Sequence, residues 1–394
     1  MKMQATTDAQ RLAVDSFRTF LATEVTPVVR ALRGRPIPRE RLRELTQGIA
    51  DFGLPGASIA HASGGMGLSV QTEAMLLEEL CVVSCEIAQC VIVNMLVARL
   101  LAELPEPQRR LRDRHLPGVL AGRSFAGFYL HGADALATVS EGGISAWSTA
   151  DGWVLDGAQP WVGNGRICDF VITGVRTEGG GVCHVLVERE QHGNTSRIFD
   201  TPTLTGTFNT GLSFHNVRLP ASQLIWQEQE GAELRARLLE KFNADTALLS
   251  VGLMRAVLEG CIVGARCADA SGRPGASQPW VALRIAEMAT RLDAARLMCL
   301  RAYSLVDAGS GCQVQVSMAR WLASEMALKA CQEALQLPGG KALGAALDLE
   351  RLVRESIVLP VPHGVSDAQK LSIAEVLTGI SARQPAINVV NPDP

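Results

Sequence analysis

Gln336-Leu-Pro-Gly339-Gly340-Lys-Ala342-Leu-Gly344, then Leu349-Glu350-Arg351-Leu-Val-Arg354-Glu355, then Pro362-His363-Gly364-Val365-Ser-Asp367-Ala-Gln369 form the stretch that decides how this chain reads. Two glycine clusters bracket an amphipathic charged segment. Glycine lets the backbone turn sharply or pass close to a neighbour. The chain therefore leaves one helix here, runs close under a ligand or another element, and enters a further helix.

Working outward, apolar periodicity predicts long helices near 232–268, 279–308, 313–336 and 366–382, which pack as a four-helix bundle. On the second, Arg284, Glu287 and Arg291 share one face, while Leu283, Met288, Leu292, Ala295 and Cys299 share another. Glu325 and Lys329 are spaced as an exposed i,i+4 pair. From Ser124 the texture is β. Alternating runs at Trp153-Val-Leu155, Phe170-Val-Ile172 and Val185-Leu-Val187 are separated by Asp151-Gly152, Asp156-Gly157 and Gly179-Gly-Gly181, which predicts short antiparallel strands and hairpins. From about Asp8 to Gly122 the chain reads as helices again, with apolar spacing in Leu12-Val14-Phe17-Phe20, and with Ser69 or Thr72 capping the helix that follows Gly64-Gly65-Met-Gly67. The fold class is α+β, mainly α: an N-terminal helical domain (1–122), a middle antiparallel β domain (123–231) and a C-terminal helical bundle (232–394).

Composition bounds the function. The chain has 394 residues, 47% of them hydrophobic, and a net charge of -3, enough for a sizeable core but not for a field that draws nucleic acid. The ten cysteines are scattered through helices that need no staples, which fits a reduced cytoplasmic setting. Cys81, Cys85 and Cys90 sit at near-helical intervals as buried residues, without a fourth ligand that would make a metal site. No run of about 18 apolar residues and no leader pattern is present, so neither a membrane span nor secretion is expected.

The opening stretch resembles the C-terminal signature of the acyl-CoA dehydrogenase family, Gln-x-x-Gly-Gly-x-Gly, an Arg-Asp pair and Glu-Gly-Thr-x-x-x-Gln. Gln336, Gly339, Gly340, Arg354, Gly364 and Gln369 match, while Ala342, Glu355, His363 and Val365 replace Gly, Asp, Glu and Thr. Further matches are Gly64-Gly65-Met-Gly67-Leu-Ser69 followed by Glu78-Glu79-Leu80, Asp151-Gly-Trp-Val-Leu-Asp-Gly157, Trp161-Val-Gly163-Asn164, and Leu212-Ser-Phe214-His-Asn-Val217-Arg-Leu-Pro220. The resemblance runs from about Gly53 to Leu377. It implies an acyl thioester substrate on CoA or a carrier protein, α,β-dehydrogenation with FAD as hydride acceptor, and a homodimer or homotetramer whose partner subunit closes over the cofactor. The cofactor-binding positions it implies are His131, Trp161, Gln336, Gly339, Gly340 and Gln369, and the α-proton base falls on His363, where the family commonly has Glu.

Several chemical positions depart from the pattern. The strand entering the β domain reads Leu130-His131-Gly132-Ala133-Asp134-Ala135-Leu136-Ala137, so a hydroxyl has become His131 and another Ala137; the hydroxyl after Trp161 is Gly163; the pyrophosphate Arg falls on Ala268. Some members carry the base early in the first long bundle helix, which is Phe242 here, with Asp245 and Asp367 nearby in sequence. A charge-assisted hydrogen bond contributes ~1.5–3 kcal/mol, so losing that Arg weakens FAD by roughly ten- to a hundredfold unless it is replaced. Three functions follow: a flavin-dependent dehydrogenase with an unusual base and weak or lost FAD, a flavin-free redox-neutral thioester enzyme, or a non-catalytic scaffold.

Overall fold

The structure, a computed structural model, describes residues 7–32, 35–129, 143–179, 181–190, 194–197, 208–227, 230–267, 273–337, 349–360 and 366–380. The N-terminal helices are α1 (Asp8–Phe20), continued through a π turn into α2 (Thr26–Leu32), then α3 (Arg39–Ala50), α4 (Val70–Val83), α5 (Cys85–Ala102) and α6 (Arg109–Leu120). Thr7 and Gln10 form a reciprocal capping box at α1. Val14 and Phe17 point inward there, but Leu12 is 71% exposed, so the apolar stripe of α1 is narrower than its sequence suggests. Ser69 caps α4 by accepting from the Thr72 amide, and Ser84 caps α5 through the Ile87 amide. By length and composition alone α5 could cross a membrane, yet it is packed inside the protein on nearly all sides.

Among the described residues eight strands follow: β1 (Ala126–Tyr129), β2 (Ser145–Thr149), β3 (Gly152–Val162), β4 (Phe170–Thr177), β5 (Val182–Glu188), β6 (Asn194–Arg197), β7 (Thr210–Pro220) and β8 (Leu224–Trp226). They form one sheet in the order β6-β7-β3-β2-β4-β5-β8, with β1 beside β4. Most pairings are antiparallel, but β4 runs parallel to both β1 and β2. Leu155, Val171, Val185, Val187, Phe214 and Val217 fill a core belonging to the sheet alone. Arg39 joins helices to sheet by donating to the Ile167 carbonyl at 2.9 Å and pairing with Asp169, whose other oxygen accepts the Phe125 amide at 2.8 Å.

The C-terminal helices are α7 (Ala232–Arg266), α8 (Pro279–Asp307), α9 (Gln313–Ala334), α10 (Leu349–Val358) and α11 (Ser366–Thr378). α7, α8, α9 and α11 make the bundle, and α4 and α5 pack against α7. On α8, Met288, Leu292, Ala295 and Cys299 are buried as their spacing predicts; Leu283 is 66% exposed instead, because nine residues at about 100° each put it on the side opposite Leu292, while Val281, nearer the helix start, is buried. The Arg284, Glu287, Arg291 face is real and Arg291 reaches Glu333 on α9 at 2.6 Å. Glu325 does not depend on Lys329: its carboxylate pairs with Lys370 of α11 at 3.1 Å, a tertiary contact that helical spacing cannot reveal. Where α7 crosses α4, Gly252 is required by packing, since a Cβ there would lie 2.3 Å from the Cys81 Cβ.

Candidate active site

The described part of the site is built on the turn that ends β3. Trp161 is half-buried, Gly163 accepts the Phe128 amide at 3.2 Å, and Asn164 adopts a left-handed conformation (φ 57°). Asn tolerates that region better than most residues because its short amide can bond locally. Here the buried Asn164 amide nitrogen donates to the Cys90 carbonyl of α5 at 3.0 Å and to the Ala126 carbonyl of β1 at 3.2 Å. Asn94, one helical turn along α5, accepts the Ala126 amide at 2.9 Å and donates to the Ser124 carbonyl. The turn carrying Trp161 is thereby pinned to α5 and β1 through main-chain groups.

Gln369 lies on α11 and is buried, 7% exposed. Gln336 stands exposed on the turn that closes α9, where its amide donates to the Glu333 carbonyl. His131, Gly339, Gly340 and His363 lie outside the described residues, as does Ala268.

The carboxylates near the two base positions are engaged elsewhere. Phe242 is buried and apolar, and the following Asn243 accepts a hydrogen bond from Arg320. Asp367 has a 71% exposed side chain and pairs with Lys370 at 3.3 Å. Asp245 is buried, in contact with Lys241 and accepting from the Tyr303 hydroxyl. Lys241 also reaches Glu73 of α4 at 2.7 Å, and Glu73 takes the Ser58 amide and hydroxyl, with Arg99 3.5 Å away. Burial pushes the Asp245 carboxyl up, and Glu73 adds to this against the pull of Lys241. For Glu73 burial acts in the same direction, but Lys241 and Arg99 outweigh it and hold the carboxyl below its usual range. Lys241 is therefore mainly the partner of an ionised Glu73.

A second buried network was not read from the sequence. Arg255 of α7 donates to Glu78 at 2.9 Å and to both oxygens of Glu79 at 2.8 Å, while Arg296 of α8 grips Glu78 at 2.9 and 3.0 Å and Arg18 of α1 meets Glu79 at 2.7 Å. The available signal was the acidic pair set in an otherwise apolar helix. Burial raises the thiols of Cys81 and Cys85 well above their ordinary value, and those of Cys168 and Cys299 to about 12, which makes these four poor nucleophiles. No group of described residues is arranged to hold a metal ion.

Comparison with known proteins bears on this geometry. The acyl-CoA dehydrogenase N-terminal domain matches residues 7–123 and the acyl-CoA dehydrogenase C-terminal domain matches residues 230–378. The chain belongs to the acyl-CoA dehydrogenase family. As a member it is an oxidoreductase acting on CH–CH groups. An acyl-CoA dehydrogenase of Bacillus subtilis (strain 168) is 26% identical over 343 residues, covering 85% of this chain and 90% of the relative. An L-prolyl-[peptidyl-carrier protein] dehydrogenase of Serratia sp. is likewise 26% identical over 343 residues, covering 85% and 88%. A glutaryl-CoA dehydrogenase from Mycobacterium smegmatis, solved in complex with FADH2, shares the fold with a TM-score of 0.86 at 20% identity, over 96% of each chain.

Proposed function

We propose that this protein dehydrogenates an acyl thioester at its α,β-carbons, using FAD held less tightly than is usual in the family. The residues present are compatible with the cofactor: the half-buried Trp161 offers an aromatic surface, and the buried Gln369 offers a carboxamide that can both donate and accept. Gly339, Gly340 and His131 complete the set, with exposed Gln336 suited to a contact shared with a partner subunit. Bound FAD supplies the hydride acceptor. The weakness follows from Gly163, which offers only main chain, and from Ala268, which offers no charge.

His363 is the proposed base. The observation that carries this is the engagement of the alternatives: Phe242 has no proton-accepting group, Asp245 is tied to Lys241 and Tyr303, and Asp367 is solvated beside Lys370. A neutral imidazole, with an unperturbed pKa near ~6.5, is a competent acceptor at neutral pH. It would take the α-proton and become imidazolium, and the electron pair left on the α-carbon would form the double bond as the β C–H bond breaks and its hydrogen leaves as hydride, for which bound FAD would be the acceptor. The carrier is CoA or a carrier protein, since relatives of similar identity act on each kind.

The test is anaerobic stopped-flow reduction of the reconstituted flavoprotein by a panel of acyl-CoA and carrier-protein thioesters. His363→Ala should abolish reduction while flavin and thioester binding persist, and the parent rate should rise with pH as the imidazole loses its proton. A His363→Ala rate within a fewfold of the parent refutes the assignment of the base. Thioester binding without any flavin reduction by the parent favours the redox-neutral reading.

A further inference from the structure

The seam between α5 and the β3 turn contains one contact that none of this uses. Cys90, Val93 and Asn94 are spaced i, i+3, i+4 and so lie on one face of α5. Cys90 and Asn94 fix the turn and β1 by hydrogen bonds. Between them Val93, 2% exposed, presses on the buried Gly163: a Cβ built on that glycine lies 3.1 Å from Val93 Cγ2 and 3.8 Å from Cγ1, with the Phe128 carbonyl oxygen at 3.7 Å. Carbon atoms settle at about 3.5–4.0 Å, so any side chain at 163 compresses the valine. The backbone hydrogen bond from Phe128 to Gly163 and the double anchorage of Asn164 prevent the turn from backing away.

We infer that Val93 and Gly163 are a matched pair, in which the valine occupies the volume a side chain at 163 would need and thereby sets the position of the turn that presents Trp161. Val93 is then a positioning residue for the cofactor wall, acting through main chain. Glycine at 163 follows from the approach of α5 and is not a simple deletion of a hydroxyl. The flavin part of this inference rests on the function proposed above; the packing part does not.

A double-mutant cycle separates the two. Gly163→Ala, Val93→Ala and the double variant are compared by thermal unfolding of the flavin-free protein and by FAD titration followed through tryptophan quenching. Gly163→Ala should lower Tm by about 1–4 °C and weaken FAD about tenfold. The double variant should recover at least half of both losses, because the space vacated by the valine methyls receives the new Cβ. Strictly additive losses in Tm, or an unchanged Tm in Gly163→Ala, overturn the pairing. Coupled Tm values with FAD affinity unchanged within twofold in Gly163→Ala overturn the positioning role. If the parent takes up no FAD at all while the Tm values couple, the pairing stands and it is the flavin reading of the site that fails. Gly163→Ser raising FAD affinity in the presence of Val93 also overturns the inference.

Discussion

Replacing Arg255 by Ala tests whether the ionic junction of α1, α4, α7 and α8 holds the helical layers together. The side chain is 2% exposed and makes four bonds, three to Glu78 and Glu79 and one to Glu259 at 3.0 Å. Removing one member of a buried ion pair costs about 3–5 kcal/mol, because the remaining charge is left uncompensated. Here the loss falls toward ~3 kcal/mol, since Glu78 keeps Arg296 and Glu79 keeps Arg18. For a chain of 394 residues unfolding as a unit, the entropy is about 0.8 kcal/mol/K, so Tm falls by about 4 °C. Differential scanning fluorimetry reads this directly.

The same variant carries a pH signature. Burial pushes the Glu79 carboxyl up, but hydrogen bonds and charge from Arg18 and Arg255 overcome it and bring its pKa below the ordinary value. A depressed carboxylate contributes stability above its unfolded pKa and loses it as pH falls through the folded one. Without Arg255 the folded pKa rises, so acid unfolding of Arg255→Ala should begin at higher pH than in the parent, beyond what its lower Tm alone produces. Arg255→Lys should fall between the two, as a point charge cannot make the forked contacts with two carboxylates. A Tm within 1 °C of the parent, with superimposable acid profiles, refutes the reasoning.

Three further outcomes follow from the buried groups. At pH 7, Glu73→Gln should lower Tm more than Asp245→Asn, because Glu73 is held ionised while burial raises the Asp245 pKa; thermal melts giving the reverse order refute that division of charge. Gly252→Ala should cost at least the ~1–3 kcal/mol typical of overpacking, read as a lower urea midpoint, since its Cβ meets the Cys81 Cβ at 2.3 Å. Gln369→Ala should weaken FAD about fivefold, the equivalent of one net hydrogen bond, with Tm of the flavin-free protein unchanged; equilibrium dialysis measures it.

What the sequence disclosed divides along a physical line. Helix positions were legible because apolar periodicity is local: 232–268, 279–308 and 313–336 meet Ala232–Arg266, Pro279–Asp307 and Gln313–Ala334, and Ser69 caps as its place before an apolar run predicts. Partners were not legible. Glu325 has Lys329 four residues on, yet pairs with Lys370. Glu79 looks like a solvated charge until Arg255, 176 residues away, covers it. Asp245 looks like a spare carboxylate until Tyr303 and Lys241 claim it from α8 and from its own helix. In each case spacing gives the face of a helix, while the identity of the group opposite depends on how distant helices cross.

This difference explains why a chain can keep the acyl-CoA dehydrogenase fold while its chemical positions change. The charges that join its helical layers, Glu78, Glu79, Arg255 and Arg296, sit at the α4, α7 and α8 crossings, and the Gly252 contact that lets α7 approach α4 is there too. The turn that ends β3 and carries Trp161 is held by other groups, the Cys90 and Ala126 carbonyls that accept from Asn164. Substitution at 163 therefore acts on the β3 turn, whereas substitution at 255 acts on the junction of α1, α4, α7 and α8. α5 borders both the turn and a further buried cluster: its Cys90, Val93 and Asn94 face the turn bearing Trp161, while Arg99, further along the same helix, faces Glu73 of α4. A shift of α5 would therefore be felt both at the turn bearing Trp161 and at the Glu73 cluster of α4.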